Sequence, residues 1–322
     1  MFTITKISIR ANIIYNTIKK MAKISLKEHT QDLNKDVAKI INTVANLTDT
    51  IFNELPHRRG MAGTKNVFGE DQKALDVWTN DFLVEAIMKT GVVKTIVSEE
   101  LSEPLHNPDK TGEYTVTLDP LDGSSNIESN NLFGTIVGVH KEKETLTQGK
   151  NQVCAFYNLY GPITTFVYAT KKGVNEFVKH RKDSTDYFLS RENIKLKEPG
   201  DLMSIGGLPK KWTPAYKEYV QEMMDAGKKI RYGGAFVGDF NQILHYGGFF
   251  GYPSLVDKPN GKLRLVIEAN PMSFIITAAG GSCSNEKGSV LEVLPNDPNQ
   301  RTPIHLGNKD LIKRLEEVYA KY

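Results

Sequence analysis

Apolar side chains at Leu33, Val37, Ile40, Ile41, Val44, Leu47 and Ile51 recur at steps of three and four residues, which predicts an amphipathic helix over residues 31–56. The stretch 54–69 carries Pro56, Gly60, Gly63 and three basic residues, predicting a flexible loop that leads into a second helix over 71–88. The period then changes. Over 113–118, Tyr114, Val116 and Leu118 alternate with Thr115 and Thr117, as in a half-buried strand. The apolar, β-branched runs Thr95-Ile96-Val97-Ser98 and Leu263-Arg264-Leu265-Val266-Ile267 predict two more strands. Strands and turns are expected up to about residue 190. Strand and helix then alternate through 203–205, 214–226, 239–246, a helix from Pro271 to Gly280-Gly281, and 309–322. The mixed periods indicate an α/β fold, and Glu198-Pro199-Gly200-Asp201 suits a boundary between two domains.

Acidic residues stand at the ends of these strands. The alternating run closes on Leu118-Asp119-Pro120-Leu121-Asp122-Gly123-Ser124-Ser125-Asn126. Asp119 thereby leaves the carboxyl edge of a sheet, where α/β folds bind ligands. Pro120 is expected to stop the strand and bring Asp122 to the same side. Gly123, Ser124 and Ser125 have little side-chain bulk, so consecutive backbone N–H groups can turn toward an anion. The other two strands close on Glu99-Glu100 and on Glu268. Like carboxylates about 4 Å apart repel by roughly 1 kcal/mol in water and about 4 kcal/mol at an effective dielectric of 20. Gathering them at one crevice is favourable only with cations between them. An oxygen-only ligand set favours magnesium or manganese over zinc. Alone, Asp-Pro-x-Asp-Gly is also a good turn sequence. The three acidic strand ends together point to metal-dependent chemistry on a phosphate.

Composition narrows the field. With 322 residues, 39% hydrophobic and 25% charged, the chain is long enough for two domains. No apolar run approaches the ~20 residues of a membrane span. A net charge of +3, with no basic run interleaved with aromatics, argues against a nucleic-acid partner. Cys154 and Cys283 are isolated and flanked by small or apolar residues, which excludes a disulfide framework and implies a reducing compartment. The first acidic residue is Glu28, and Lys6, Arg10, Lys19, Lys20, Lys23 and Lys27 precede it among Ile, Thr and Asn. Residues 1–27 therefore read either as an organelle transit peptide or as a segment upstream of the true start at Met21, with a cytoplasmic location expected.

On these residues the chain resembles a class I fructose-1,6-bisphosphatase, of the lithium-sensitive, magnesium-dependent phosphatase superfamily. The similar stretches are 69–81, 97–100, 114–138, 231–248 and 260–281, with weaker similarity from about residue 28 to the end. Within the superfamily, Asp-Pro-Leu-Asp-Gly-Ser-Ser-Asn is specific to sugar bisphosphatases. The resemblance implies a layered α-β-α-β-α sandwich. It divides the chain into the basic segment 1–27, a regulatory-type, metal-binding domain over 28–200 and a sugar bisphosphate-binding domain over 201–322, with metals at the junction. It implies magnesium, or manganese, held by Glu99, Asp119, Asp122, Glu268 and the Leu121 carbonyl, with Glu70 helping to hold a third, weaker ion. Asp76 and Glu100 match the pair that activates the attacking water. Gly123, Ser124 and Ser125 would donate amides to the transferred phosphoryl group, beside Asn126. Tyr232, Tyr252, Lys262 and Arg264 match positions around the distal phosphate. Arg231 matches an arginine that reaches in from a neighbouring subunit, implying a homodimer or homotetramer. The implied reaction is hydrolysis of the 1-phosphate of fructose 1,6-bisphosphate, with sedoheptulose 1,7-bisphosphate as the alternative substrate.

Several positions depart from the family pattern. Ser204-Ile205-Gly206-Gly207-Leu208 stands where fructose enzymes carry Asn-Glu-Gly, Phe236 replaces a Met against the sugar, and Asp239-Phe240-Asn241-Gln242-Ile243 resembles the sedoheptulose branch. Glu28, Thr30 and Tyr114 match the AMP site of family members, but Glu113 replaces a phosphate-binding lysine and Lys141 an arginine. Weak AMP inhibition, or none, is expected.

Overall fold

Helix α1 (Lys35–Glu54) begins where Asn34 caps it, its Oδ1 accepting from the backbone N–H of Asp36 at 2.9 Å and Val37 at 3.4 Å. The cap explains why the helix starts later than the apolar stripe predicts. Ahead of it lie a one-turn helix, Leu26–His29, and a 3-10 turn, Thr30–Asp32. The computed structural model describes residues 24–58, 61–65, 71–109, 112–141, 146–179 and 186–322, with only the backbone path at 61–65 and 71–73. The basic N-terminal segment up to residue 23, and Glu70, lie outside the described residues. The predicted 54–69 loop contains strand β1 (Met61–Lys65), which pairs antiparallel with β2 (Asp71–Lys73). The second helix, α2 (Ala74–Met88), therefore starts three residues later than expected, because strand pairing claims 71–73.

An eight-stranded sheet occupies the first half. Its strands are β3 (Val93–Ser98), β4 (Leu105–His106), β5 (Tyr114–Asp122), β6 (Phe133–His140), β7 (Gln152–Tyr160), β8 (Thr165–Thr170), β9 (Gly173–Lys179) and β10 (Tyr187–Arg191), in the order β10-β9-β8-β7-β6-β5-β3-β4. All pairs are antiparallel except β3 with β5. The second half holds β11 (Leu202–Ile205), helix α3 (Pro214–Asp225), β12 (Lys229–Ile230), helix α4 (Phe236–Tyr246), β13 (Gly248–Tyr252) and the short strand β14 (Leu263–Arg264). Helix α5 (Asn270–Ala278), β15 (Ser282–Ser284), β16 (Arg301–Thr302), β17 (Ile304–Gly307) and helix α6 (Lys309–Tyr319) complete it. A five-stranded sheet runs β12-β11-β13-β17-β15.

Three buried apolar clusters define five layers. One joins α1 and α2 to the eight-stranded sheet, a second fills the space between the sheets with α4 and α5, and a third seals α3 and α6 onto the five-stranded sheet. The expected α-β-α-β-α sandwich is what folds. Among the described residues no helix is long and apolar enough to cross a membrane.

Two local departures from expectation shape the site. Pro120 does not stop β5. The strand continues to Asp122, but its register with β6 slips: Asp119 faces Ile136 while Asp122 faces Gly134. Three residues thus span two on the partner, which is a bulge, and a bulge tolerates a residue without an N–H. Residues three apart on a regular strand face opposite sides. The extra residue returns Asp122 to the side of Asp119. The run ending at Glu268 is likewise not a strand throughout. After β14, residues Leu265–Ala269 coil into a π-helical turn, with the Asn270 N–H donating to the Leu265 carbonyl. Pro271 sits in the first turn of α5, as expected.

A closed polar triangle ties α1 to the sheet. Tyr187 Oη lies 2.9 Å from Thr48 Oγ1 and donates to Asn158 Oδ1 at 2.8 Å, while Asn158 Nδ2 donates to Thr48 Oγ1 at 2.8 Å. All three residues are buried. Replacing Tyr187 by Phe leaves Asn158 without its donor, an expected loss of about 1–3 kcal/mol. Urea unfolding should show a lower midpoint with an unchanged slope.

Candidate active site

The bulged end of β5, the π-turn and the loop after β3 meet at a cavity of about 360 Å³. Asp119, Asp122 and Glu268 each turn a carboxylate oxygen into one cluster, all within 4.8 Å of one another, and all three side chains are buried. Burial first, then Glu99, Asp122 and Glu268, push the Asp119 carboxyl well above the usual range. Burial and Glu99 push Glu268 up to about 8. Asp122 rises to about 7 through burial, although the Val237 N–H at the start of α4 donates to its Oδ2 at 2.6 Å and pulls the other way. Three carboxyls raised first by burial and then by one another suit a hard divalent cation. The residues fit such an ion.

Glu99 and Glu100 line the same cavity. The Glu99 carboxylate is paired with the Arg264 guanidinium, and the Arg264 backbone N–H donates to Glu268 Oε2 at 2.6 Å. Arg264, 4% exposed, thus faces the carboxylates rather than an outer phosphate site. Leu121 lies between the two aspartates and also lines the cavity. Asp76, in the first turn of α2, accepts from Ser124 Oγ at 3.1 Å. Gly123 adopts φ +75°, and a Cβ there would fall 2.3 Å from the Ala235 Cβ. Only glycine lets the chain turn so close to α4. The turn Ser124–Asn126 follows, with Ser124 and Ser125 on the cavity wall.

Tyr232, Tyr252 and Lys262 line the same cavity, with Lys262 Nζ 5.6 Å from the centre of the Tyr252 ring. Tyr252 packs where a Cβ on Gly206 would sit, 2.4 Å from the ring. Phe236 lines the wall and stacks on Phe250 at 4.6 Å. Asn126 Nδ2 donates to the carbonyls of Leu132 (2.9 Å) and Gly233 (2.8 Å), fastening loop to loop. Arg231 is exposed and does not line the cavity of its own chain. Asn241 accepts from Tyr157 Oη at 2.7 Å, so its side chain serves the sheet contact.

Sequence reasoning missed two residues on the cavity wall. Asp239 accepts from the N–H groups of Gly233 (2.6 Å) and Gly234 (3.1 Å), and burial raises it to about 6. The paired glycines ahead of a helical acid were its available signal. Arg301 donates to the Lys262 carbonyl at 2.6 Å and arrives from β16, with no motif to mark it.

Comparison with known proteins settles the lineage. The family profile described as "Fructose-1-6-bisphosphatase, N-terminal domain" matches residues 16–192, and its C-terminal counterpart matches 196–320. The chain belongs to the fructose-1,6-bisphosphatase family. It is 40% identical over 300 residues to the fructose-1,6-bisphosphatase class 1 of Geobacter sulfurreducens, covering 91% of this chain and 95% of the relative. With the class 1 enzyme of Trichlorobacter lovleyi it shares 44% over 262 residues, 80% and 82% of the two chains. The holo crystal structure of Leishmania major fructose-1,6-bisphosphatase superposes with a TM-score of 0.86 at 27% identity, covering 92% of this chain and 99% of that one.

The raised carboxyls fix the sign of a pH effect. In an unfolded chain they ionise near pH 4. Folding without metal raises Asp122 and Glu268 to about 7 and about 8, so stability falls as pH rises through that window and levels above it. Cation binding requires the ionised forms, so magnesium affinity should tighten up to about tenfold per pH unit for each proton displaced. Thermal unfolding with and without magnesium should show a larger shift at about pH 8.5 than at about pH 6. An Asp122→Asn/Glu268→Gln variant, which keeps only the buried Asp119, should show both effects much reduced.

Proposed function

We propose that the chain hydrolyses the 1-phosphate of fructose 1,6-bisphosphate, giving fructose 6-phosphate and phosphate. The observation that carries this reading is a single cavity lined both by three buried carboxylates and by Lys262, Tyr252 and Tyr232. A molecule with two phosphates separated by a sugar suits both sets of groups at once. Asp119, Asp122 and Glu268 would hold magnesium, or manganese, with Glu99 and the Leu121 carbonyl beside them. When bound, the divalent ion supplies positive charge against the phosphoryl oxygens and eases deprotonation of the attacking water.

The chain's own groups do the rest. Asp76 and Glu100 would orient that water and take its proton. The amides after Gly123 would donate to the transferred phosphoryl group, where charge builds up. The Ser124–Asp76 hydrogen bond links the phosphate-holding turn to the water-orienting carboxylate. Lys262 would meet the distal phosphate as a point charge, flanked by the two tyrosine hydroxyls. Arg231, exposed on its own chain, would complete the pocket of an adjoining subunit in a homodimer or homotetramer. We place the enzyme in cytoplasmic carbohydrate metabolism.

Phosphate release in the presence of magnesium tests the reading. Fructose 1,6-bisphosphate should be turned over with a kcat/KM at least equal to that on sedoheptulose 1,7-bisphosphate; a clear reversal would make the heptulose the substrate. Asp122→Ala should lower kcat by about a thousandfold or more even at saturating magnesium. Activity within about tenfold of the parent would remove Asp122 from the ion.

The groups expected around AMP are engaged elsewhere. Lys141 Nζ pairs with Glu113 at 3.0 Å, and Thr30 and Tyr114 are buried. Losing a charged phosphate contact costs roughly 1.5–3 kcal/mol, about tenfold to a hundredfold in affinity. AMP should therefore inhibit only at millimolar levels or not at all. A dose–response curve with half-inhibition at low micromolar AMP would contradict this.

A further inference from the structure

Glu286 stands in the turn after β15 with φ +78°, in the left-handed region that a glutamate rarely adopts. Such backbone persists where the surroundings over-determine it, often for function. The turn has other supports: Glu286 N donates to Ser284 Oγ at 3.1 Å, Lys287 N to Asn285 Oδ1 at 3.1 Å, and Asn285 N to the Gly288 carbonyl at 2.9 Å. The carboxylate is not needed to close it. Instead it reaches across the end of the five-stranded sheet.

Its side chain is 9% exposed and accepts from Ser254 N at 2.8 Å, Ser254 Oγ at 2.6 Å, Tyr319 Oη at 2.9 Å and His305 Nε2 at 3.2 Å. An ionised carboxylate only accepts, which assigns a proton to His305 Nε2. His305 is fully buried on β17, an interior strand of the five-stranded sheet, its ring stacked 5.7 Å from that of Phe249. Burial pushes the Glu286 carboxyl up, yet the donors of His305 and Ser254 outweigh it and hold the group below its usual range. Two donors come from fixed elements, β17 and α6. The other two belong to one residue, Ser254.

Ser254 lies two residues past Tyr252, where the β13–β17 ladder ends at Tyr252 opposite Ile304. Further on, Leu255 bridges to Trp212 and the Val256 N–H donates to the Lys211 carbonyl at 2.9 Å, while Ser254, between ladder and bridge, is held by Glu286. From the geometry we propose that Glu286 is a positioning residue for the distal end of the cavity. Its carboxylate, fixed by His305 and Tyr319, clamps Ser254 and so holds the Tyr252 ring against Gly206 and beside Lys262. This rests on the reading of that end as the distal-phosphate pocket.

Glu286→Gln keeps the shape but replaces a charged acceptor by a neutral amide whose Nε2 can only donate, so the hold on Ser254 weakens. The expected result is a KM for fructose 1,6-bisphosphate raised about fivefold to fiftyfold, with kcat within about twofold and the magnesium activation curve unchanged. A purely structural role would lower the melting temperature and the active fraction while leaving KM alone. Ser254→Ala is a second variant that spares Glu286 and should raise KM in the same direction. Glu286→Gly relieves the backbone, so it should fold at least as well as the Gln variant and still raise KM. Trp212, bonded to the Gly206 carbonyl at 3.0 Å, supplies a readout independent of turnover. In a Trp78→Phe background, its fluorescence should become more accessible to acrylamide in the Glu286 variants. Unchanged KM in folded Glu286→Gln and Ser254→Ala overturns the inference, as does unchanged Trp212 quenching. No phosphate release from the bisphosphate by the parent, together with the Trp212 change in the Glu286 variants, overturns the substrate reading and upholds the clamp.

Discussion

Three carboxylates share one buried spot, and most of the local architecture follows from having to keep them there. Unit charges a few ångströms apart in a protein interior repel by several kcal/mol at an effective dielectric near 20. Asp119, Asp122 and Glu268 face that repulsion without escape to water. The chain answers with partial positive charge wherever it can. The first turn of α4 aims an N–H at Asp122, and the guanidinium of Arg264 stands against Glu99 while its own amide serves Glu268. These arrangements leave the carboxyls proton-loving, which is the condition in which a divalent cation competes well only as pH rises.

Two of the three acids reach the cluster through a departure from regular structure. A bulge in β5 turns Asp122 to the side of Asp119, and a π-turn delivers Glu268 from the other half of the chain. Such irregularities cost stability in isolation and recur at functional sites. Here they are embedded in layers that cannot relax around them, since β5 is buried along its whole length and the π-turn runs directly into the buried helix α5. The rigid sandwich holds the geometry that its least regular segments create. Distally, the same logic applies more gently, with a left-handed glutamate anchoring the segment that follows Tyr252.

What could be read from the residues was whatever obeys a period or a motif. The stripe from Val37 to Ile51, the alternation of Tyr114, Val116 and Leu118, and Pro271 at a helix start all express one local rule, and the structure keeps them. Failures occurred where a nonlocal partner overrode the local signal. Residues 71–73 look helical until β1 arrives to pair with them, and Pro120 looks like a terminus until a bulge excuses its missing N–H. Leu265 to Ile267 are as apolar as any strand, and nothing in their composition announces a π-turn. Of the site, the acids and the glycine-serine turn were legible because charge and small size are scarce in strand ends. Arg301 and the orientation of Asn126 were not, because both depend on where a distant loop comes to rest.

The π-turn has a genetic consequence. A turn closed between Leu265 and Asn270 holds one residue more than an α-helical turn. An in-frame loss of a single codon among 265–267 would let that turn close as ordinary α-helix, continuous with α5. Each residue of an α-helix rotates the next by about 100°, so the acid at 268 would turn relative to β14, and one buried apolar side chain would be lost with the codon. A three-base deletion at this point would therefore strike the acid cluster while sparing both sheets, whereas the same deletion inside β5 would break the eight-stranded sheet itself.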